Sequence, residues 1–434
     1  MSRLNSFLTR TLSVEIAWIA LSLAIATWPF YLLLPGLGER VFVLCFALFL
    51  VFAGRGVVDC RHELIPALMR KEYLPAYLFV IYNGFSYIVF VPDRTVSGHP
   101  DLINLFLSFL IFPILLLMSR DKKRYRICLE RLIAVTVLFV TIVTAEHLFL
   151  FDSLYLSGWF TREGFSEFGY STKNQLAFSL ILVFPFVYSR FVRHKTWYHF
   201  LSLSVVVFAA LYTFSRMAVF SLFGALVVFC LIPGNRKRYV YHAVAVLLIL
   251  ALASLLTGIT PERYLELRRT GQISASSPET AEILRGGKEQ WLDLNLDRMK
   301  YAQEALKGFL ERPLFGHGIM SFSANHAEYR PDGSLLRRPS SHNDYLQVLY
   351  ELGLIGFFPL ALFLLVCFWK LWKIEGILDD VRWVRDGQLV SLSVLTIALN
   401  AINAYETVPF WFVTAGAMAI PRMLERRDDW DDAP

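Results

Sequence analysis

One long polar segment interrupts an otherwise apolar chain and constrains its fold more than any other feature. It runs from about Gly258 to Ser341, between an apolar run that ends at Leu256 and one that begins in SHNDYLQVLYELGLIGFFPL. Apolar runs of this length are typical of membrane spans, which need roughly 20 residues each. A bundle of spans does not need such an insert, whereas chemistry at the membrane surface needs polar groups beside lipid-linked molecules. The sequence therefore predicts a functional site on the side that this segment faces.

The composition agrees with a membrane protein. Of the 434 residues, 56% are hydrophobic and only 18% are charged, whereas soluble domains carry roughly 25% charged residues. We predict an all-α polytopic membrane protein, with nine spans in residues 1–257, a loop with amphipathic helices in 258–343, and three spans and a tail in 344–434, all in one integrated domain. The twelve predicted spans are centred near Leu23, Phe46, Tyr82, Phe109, Leu138, Val183, Val206, Leu226, Val246, Ala361, Thr396 and Thr414.

The distribution of Lys and Arg predicts the orientation of these spans. With twelve spans, every basic cluster falls on the same side, which the positive-inside rule assigns to the cytoplasm. Both termini are then cytoplasmic and the polar loop faces outward. The net charge of +6 is explained by attraction to anionic lipid headgroups. We therefore predict membrane lipids as partners and no nucleic acid.

A helix is predicted inside the polar loop. Leu296, Met299, Ala302, Leu306 and Leu310 recur at helical spacing, and Pro313 ends the pattern. The helix is amphipathic, so it lies on the membrane surface or packs on the spans. Packing is the commoner arrangement of the two.

Three basic groups of the outer side are candidate site residues. Arg216 lies in a turn between two apolar runs, where a charge is costly unless it meets water, a partner or an anionic ligand. Arg298 begins the predicted helix, and His342 stands where the loop re-enters the membrane. The alternatives are an Arg216 side chain that reaches the headgroups, an Arg298 paired with Asp297 or Glu304, and a histidine with a structural hydrogen bond.

No metal or cofactor is predicted. His317, His326, His342 and Asp344 are spaced too irregularly for a standard zinc or divalent-cation motif. No Walker loop or dinucleotide-binding glycine pattern is present. His317 and His326 also compete with His342 for a catalytic role, but their partners cannot be inferred from the sequence.

Two arginines and one histidine suit a particular reaction at a lipid boundary. Arginine binds phosphate oxygens in bidentate geometry, so two of them could hold a pyrophosphate leaving group. A neutral histidine, with an ordinary pKa of about 6.5, could take the proton of an attacking hydroxyl. Together these groups fit the transfer of a sugar from a polyprenyl pyrophosphate to an alcohol.

At these residues the chain resembles the O-antigen ligase family, from about Arg162 onward. The most specific segment is SHNDYLQVLYELGLIGF, which matches a His-Asn-x-x-Leu run followed by Glu-x-Gly-x-x-Gly. Weaker support comes from the Ser-Arg turn, from the Arg298 helix with the segment PLFGHG after it, and from Arg162-Glu163-Gly164 and Lys173-Asn174-Gln175. The motif residues are Ser341, His342, Asn343, Leu346, Glu351, Gly353 and Gly356.

The resemblance implies a GT-C-like glycosyltransferase of the bacterial inner membrane that acts in lipopolysaccharide biosynthesis. Such enzymes transfer O-antigen from undecaprenyl pyrophosphate to a lipid A-core sugar at the periplasmic face, with inversion and without metal or ATP. Carried over by position, His342 activates the acceptor hydroxyl, and Arg216 and Arg298 bind the pyrophosphate. Further predicted substrate-binding residues are Asn343, Arg162 and Lys173.

Three other functions remain open at the level of sequence. An O-antigen polymerase uses similar donors but extends one lipid-linked glycan with another. An oligosaccharyltransferase modifies a protein, and a transporter could use Arg216 and the loop to gate an anionic substrate. The His-Asn run at the end of a large outer loop favours a transferase over a transporter.

Overall fold

The computed structural model describes most of the helical parts of the chain. These are residues 69–91, 99–118, 125–141, 171–212, 216–232, 237–248, 288–329, 335–337, 340–374, 379–402 and 404–425, with isolated gaps inside 125–141 and 237–248. The predicted spans near Leu23 and Phe46 and the candidate residue Arg162 lie outside them.

The described chain is almost entirely helical. Its labelled helices are α1 Leu74–Phe90, α2 His99–Met118, α3 Ser171–His194, α4 Trp197–Tyr212, α5 Arg216–Leu231, α6 Lys288–Glu311, α7 Ser321–Asn325, α8 Asp344–Trp372, α9 Asp379–Ala398 and α10 Val408–Glu425. A short 3₁₀ helix, Lys71–Tyr73, precedes α1. The strands β1 Glu328–Tyr329 and β2 Leu335–Arg337 pair in antiparallel fashion.

The apolar helices agree with a helical membrane protein. Among the described residues, the segments Lys71–Phe90 and Asp344–Trp372 are long and apolar enough to cross a bilayer. Shorter apolar helices cover Leu102–Leu116, Trp197–Ala210, Met217–Leu231 and Pro409–Pro421. Each of these segments coincides with a predicted span.

The chain divides into two compact units. Unit 1 comprises residues 1–59, 121–293 and 376–394, and unit 2 comprises residues 60–120, 294–375 and 395–434. In unit 1, α3 packs against α4 and α5. In unit 2, α8 packs along α1 and α10, and α10 also packs along α2.

The predicted span centred near Thr396 is displaced along the sequence. The span predicted around Thr396 is the helix α9, which ends at Ala398 and extends back to Asp379 through charged residues. Two of those residues have buried partners, because Arg385 Nε lies 2.8 Å from Asp386 Oδ1 and Tyr239 donates to Asp386 Oδ2 over 2.6 Å. Pairing of this kind lets charged residues lie within a buried helix, where isolated charges would be too costly.

Aromatic side chains form the core of unit 2. The Trp411 indole on α10 contacts Phe109 and Phe112 on α2 and Phe363 on α8, with ring centroids 4.9 to 6.1 Å apart. Phe112, Phe363 and Trp411 have no exposed surface. These rings bury large apolar areas, so they fix α8 against its neighbours.

Candidate functional site

His342 lies directly before the membrane helix α8, as the sequence predicts. Its backbone has a positive φ of 52°, a left-handed conformation that non-glycine residues adopt uncommonly and that tends to occur at functional sites. The ring is half-buried, and its Nδ1 lies 3.4 Å from Ser340 Oγ. The histidine is therefore held in a defined conformation at the end of the span.

The residues on either side of His342 hold this conformation. Ser341 is buried, and its hydroxyl donates to the carbonyl of Asn343 over 2.8 Å and accepts from the Asn343 amide over 3.2 Å. Asn343 Oδ1 accepts from the Leu346 amide over 3.1 Å and so caps the N-terminus of α8. The Asn343 side chain thus has a structural contact in addition to any contact with substrate.

Asp344 connects the start of α8 to the segment between α9 and α10. Its carboxylate is fully buried, and Oδ2 accepts the backbone amides of Ala404 and Tyr405 at 2.7 and 3.1 Å. Its own amide donates to the carbonyl of Leu399 over 2.8 Å. The residue directly after the His-Asn pair therefore fixes a second connection beside the histidine.

The buried phenol of Tyr405 stays protonated at neutral pH. Burial raises the pKa of Tyr405 well above its usual range, and the negative charge of Glu406 raises it further. The ring packs edge-on against Phe79 of α1, with centroids 5.8 Å apart. Tyr405 thus serves the packing of unit 2 and is not a proton acceptor there.

Replacing Asp344 with alanine should destabilise unit 2. The change leaves the buried amides of Ala404 and Tyr405 without an acceptor, and each such group costs about 1–3 kcal/mol. We expect Asp344→Asn to lose less stability, because it keeps one oxygen that can accept. Thermal unfolding of both variants in detergent measures the difference, and equal unfolding temperatures for the wild type and Asp344→Ala would contradict the role of this carboxylate.

Helix α8 is interrupted at Gly353. This residue has φ 61° and ψ −163°, a combination that is essentially restricted to glycine. The interruption leaves backbone groups of α8 without helical partners, and in a membrane such groups must be satisfied by protein. A segment that precedes Gly353 by 35 to 40 residues supplies the partners.

The residues 313–318, which we call the PLFGHG segment, pair with the interrupted helix. The amides of His317 and Gly318 donate to the carbonyls of Tyr350 and Glu351 at 3.0 and 2.8 Å. In return, the amides of Leu354 and Ile355 donate to the carbonyls of residues 313 and 314 at 2.8 and 3.1 Å. Four hydrogen bonds therefore replace those that α8 loses.

Two glycines allow this close approach. A Cβ atom at Gly353 would overlap the carbonyl of Leu314, and one at Gly316 would overlap the backbone of Glu351. Gly316 also has a positive φ of 71°. Gly353 of the Glu-x-Gly motif and Gly316 of the PLFGHG segment therefore lie on the two sides of one close backbone contact.

The glutamate of the same motif has a structural position. Glu351 is fully buried, and its Oε1 accepts from Gln347 Nε2 at 3.2 Å and from the amide of Phe322 in α7 at 3.3 Å. The residue directly after the PLFGHG segment also contacts α1, because Ser86 Oγ accepts the Ile319 amide over 3.1 Å. The motif thus holds the end of the large loop against the membrane helices.

The two competing histidines have structural partners. His317 Nε2 lies 2.9 Å from the carbonyl of Gly308, and its ring stacks on Tyr350 with centroids 4.6 Å apart. His326 Nδ1 lies 2.8 Å from the carbonyl of Phe322, and its Nε2 lies 3.3 Å from Glu304 Oε2. These contacts give both rings a place in the packing of the loop.

The structure places the arginines on helices of different units. Arg298 lies in unit 2 within α6, which begins at Lys288, so it is not at the start of the helix as predicted; Arg216 is the first residue of α5 in unit 1. Lys173 lies in the first turn of α3. The side chains of these three residues are outside the described part of the structure, so only their backbone positions are assigned.

The PLFGHG segment brings α6 and α8 together within unit 2. Helix α6 ends at Glu311, two residues before Pro313, as predicted. Its residues Tyr301 and Ala305 pack with Phe322 and Tyr350 in a buried cluster. The helix that carries Arg298 is therefore attached to the first turns of α8, directly after His342.

Histidine is the group of this site best suited to move a proton. Among the described residues, no three His, Cys, Asp or Glu side chains are grouped to hold a metal ion. A half-buried imidazole at the end of a membrane span can accept a proton near neutral pH. The apolar helices and this site together define a helical membrane protein with polar chemistry at one end of a span.

Comparison with known proteins agrees with a helical membrane protein and indicates which family the chain resembles. Residues 200–361 match the family model described as O-antigen ligase, so the resemblance inferred from the motifs is confirmed over this segment. The match indicates an O-antigen ligase- or polymerase-like glycosyltransferase of the membrane, acting on lipid-linked glycans and a lipid acceptor. It includes Arg216, Arg298, His342 and Asn343, whereas Arg162 and Lys173 precede it. No curated protein matches the chain significantly.

Proposed function

We propose that the protein is an O-antigen ligase, which transfers a glycan from undecaprenyl pyrophosphate to a sugar hydroxyl of lipid A-core. The observation that carries this proposal is the position of His342, held in a left-handed conformation at the N-terminus of a membrane helix. The family match over the same residues supports it. The packing of α6, which carries Arg298, against the start of α8 adds a second candidate residue in the same unit.

In this reaction His342 acts as the general base. Its neutral imidazole takes the proton of the acceptor hydroxyl while that oxygen forms a bond to the anomeric carbon of the donor sugar. The bond from that carbon to the pyrophosphate oxygen breaks in the same step, and undecaprenyl pyrophosphate leaves with the electron pair. Direct displacement of this kind inverts the anomeric centre.

Arg216 and Arg298 bind the pyrophosphate in this proposal. A guanidinium group holds two phosphate oxygens at once and stabilises the charge that grows on the leaving group. Arg216 is the first residue of α5, and the free amides at a helix N-terminus also favour anions. Arg162 and Lys173 are proposed as further donor contacts and Asn343 as an acceptor contact, on the resemblance alone.

We expect Arg216→Lys to lower kcat/KM for glycan transfer by about tenfold to a hundredfold. Lysine keeps the charge but loses the two-point contact, and a hydrogen bond to a charged group contributes about 1.5–3 kcal/mol. Transfer from purified donor, measured with the full-length protein in detergent, tests this. The matched control is Arg238→Lys, because Arg238 is an exposed residue of the same unit. Unchanged turnover in Arg216→Lys would indicate that Arg216 only reaches the headgroups.

The topology proposed for this reaction places the large loop outside. Twelve spans with both termini in the cytoplasm put the loop, Arg298 and His342 at the periplasmic face, where lipid-linked O-antigen and lipid A-core are both accessible. The basic clusters of the connections between spans support this orientation. Accessibility of single cysteines to a membrane-impermeant reagent in intact cells would test it.

One incubation separates the ligase from the other transferases and from a transporter. The purified protein receives a polyprenyl pyrophosphate glycan with lipid A-core, with an acceptor protein, or with no second substrate. Glycan attached to the core supports the ligase, a lengthened donor supports the polymerase, and glycosylated protein supports the oligosaccharyltransferase. Absence of every product, with a folded protein, favours a transporter.

A further inference from the structure

Helix α6 presents three different surfaces along its described part. Tyr301 and Ala305 face the buried cluster against α8. At about 100° per residue, Lys300, Lys307 and Glu311 fall on a second, exposed side. A third side is apolar and also exposed, with exposed fractions of 61% for Met299, 47% for Leu306 and 67% for Leu310.

The sequence pattern did not predict which side of this helix packs. Met299, Leu306 and Leu310 belong to the apolar repeat that predicted an amphipathic helix, yet they face away from the buried cluster. Packing uses the side that carries Tyr301 and Ala305. The expected packing of the helix on a span is therefore observed, but through this side, and Met299, Leu306 and Leu310 are available for another apolar environment.

The exposed apolar side continues beyond the end of α6. Leu314 and Phe315 are 54% and 49% exposed, and with Met299, Leu306 and Leu310 they form what we call the α6 stripe. The carbonyl of Leu314 accepts the amide of Ile355 in α8. On α8, Leu354, Ile355 and Phe358 are themselves exposed. The α6 stripe is thus continuous with the exposed side of a membrane span.

The place along α8 where Leu314 pairs with Ile355 indicates how deep the end of the α6 stripe lies in the membrane. Gly353 follows Asp344, the first residue of the helix, by nine residues, which is about 14 Å along a helix axis at 1.5 Å per residue. If α8 enters the lipid after its second turn, the end of the α6 stripe lies at the boundary between the headgroups and the apolar layer. Water is an unfavourable neighbour for such side chains, at roughly 25 cal/mol per Å² of apolar surface.

We propose that the α6 stripe is inserted into the outer leaflet of the membrane, so that α6 lies in the membrane surface. An apolar side flanked by lysines is typical of helices at the lipid–water boundary. Lys300 and Lys307 then lie among the headgroups, where anionic lipids attract them. The occupant of the stripe is the acyl region of the bilayer, because the stripe continues the lipid-exposed side of α8. This inference rests on the proposed topology but not on the proposed glycosyl transfer.

Spin labels test the proposal directly. Single cysteines are placed at Leu306 and Leu310 of the stripe and at Lys300 and Lys307 of the charged side, in full-length protein whose five native cysteines are replaced by alanine. Each labelled protein is reconstituted in vesicles of phosphatidylcholine and phosphatidylglycerol. Collision rates are measured with oxygen, which concentrates in the bilayer, and with a nickel chelate, which stays in water.

The stripe labels should give oxygen-to-nickel collision ratios on the order of threefold or more above those of the lysine positions. Equal ratios at all four positions would overturn the proposal, and so would stripe labels that neither reagent reaches, because that pattern indicates a covering protein. Leu314 supplies another stripe position if a label at Leu306 or Leu310 lowers the unfolding temperature. The readout needs no turnover, so an inactive protein with the expected ratios contradicts only the proposed function.

Discussion

Replacing His342 with alanine should lower glycan transfer at least about a hundredfold without loss of folding or membrane insertion. A positioned general base contributes typically 10²–10⁴-fold to a rate, and alanine cannot accept the proton. The ring of His342 is only half-buried, so its removal leaves a small defect in packing. Transfer from undecaprenyl pyrophosphate glycan to lipid A-core, measured with purified full-length protein, gives the result.

Two controls make this experiment decisive. His317→Gln keeps a side-chain donor for the carbonyl of Gly308, which His317 Nε2 contacts at 2.9 Å, and should retain most of the activity. For the unmodified protein, kcat/KM should fall on acidification, because only the neutral imidazole accepts a proton. Full activity of His342→Ala would remove this residue from the mechanism.

The second large effect is expected at the interruption of α8. Gly353→Ala should destabilise the protein by more than about 3 kcal/mol, because a Cβ atom would overlap the carbonyl of Leu314 at a φ and ψ that alanine rarely adopts. The four hydrogen bonds to the PLFGHG segment are then strained or lost. Unfolding can be followed with a thiol-reactive dye, which reports the exposure of buried cysteines such as Cys367 on α8.

Gly84→Ala is the matched control for this substitution. Gly84 lies inside α1, and its Cβ atom would meet Phe106 at 3.3 Å, a contact that a small side-chain movement relieves. We expect nearly unchanged stability there, since alanine also favours the helix. Similar unfolding temperatures for both variants would show that the interruption of α8 does not require glycine.

The local features of the site could be predicted from the sequence. The His-Asn run marked the start of a membrane span, and the structure begins α8 directly after it. The apolar repeat and Pro313 predicted the C-terminal part of α6 and its end, but not its start at Lys288. Both predictions depend on short-range patterns, namely capping, periodicity and proline, which are set by neighbouring residues.

Long-range pairing could not be predicted. The Glu-x-Gly motif named Gly353, but nothing in its neighbours shows that the helix is interrupted there or that residues 313–318 fill the interruption. The buried contacts of Asp344 with Ala404 and Tyr405 join positions about 60 residues apart. Likewise, the extent of α9 toward Asp379 depends on the pair Arg385–Asp386 and on the distant Tyr239.

The interruption of α8 also affects how the chain is assembled during synthesis. A membrane helix with four unpaired backbone groups is unfavourable in lipid, at several kcal/mol for each group. Residues 313–318 leave the ribosome before α8, so their amides and carbonyls are already available when that helix is inserted. Because residues 313–318 are synthesised first, they can pair with the backbone groups of α8 as that helix enters the membrane.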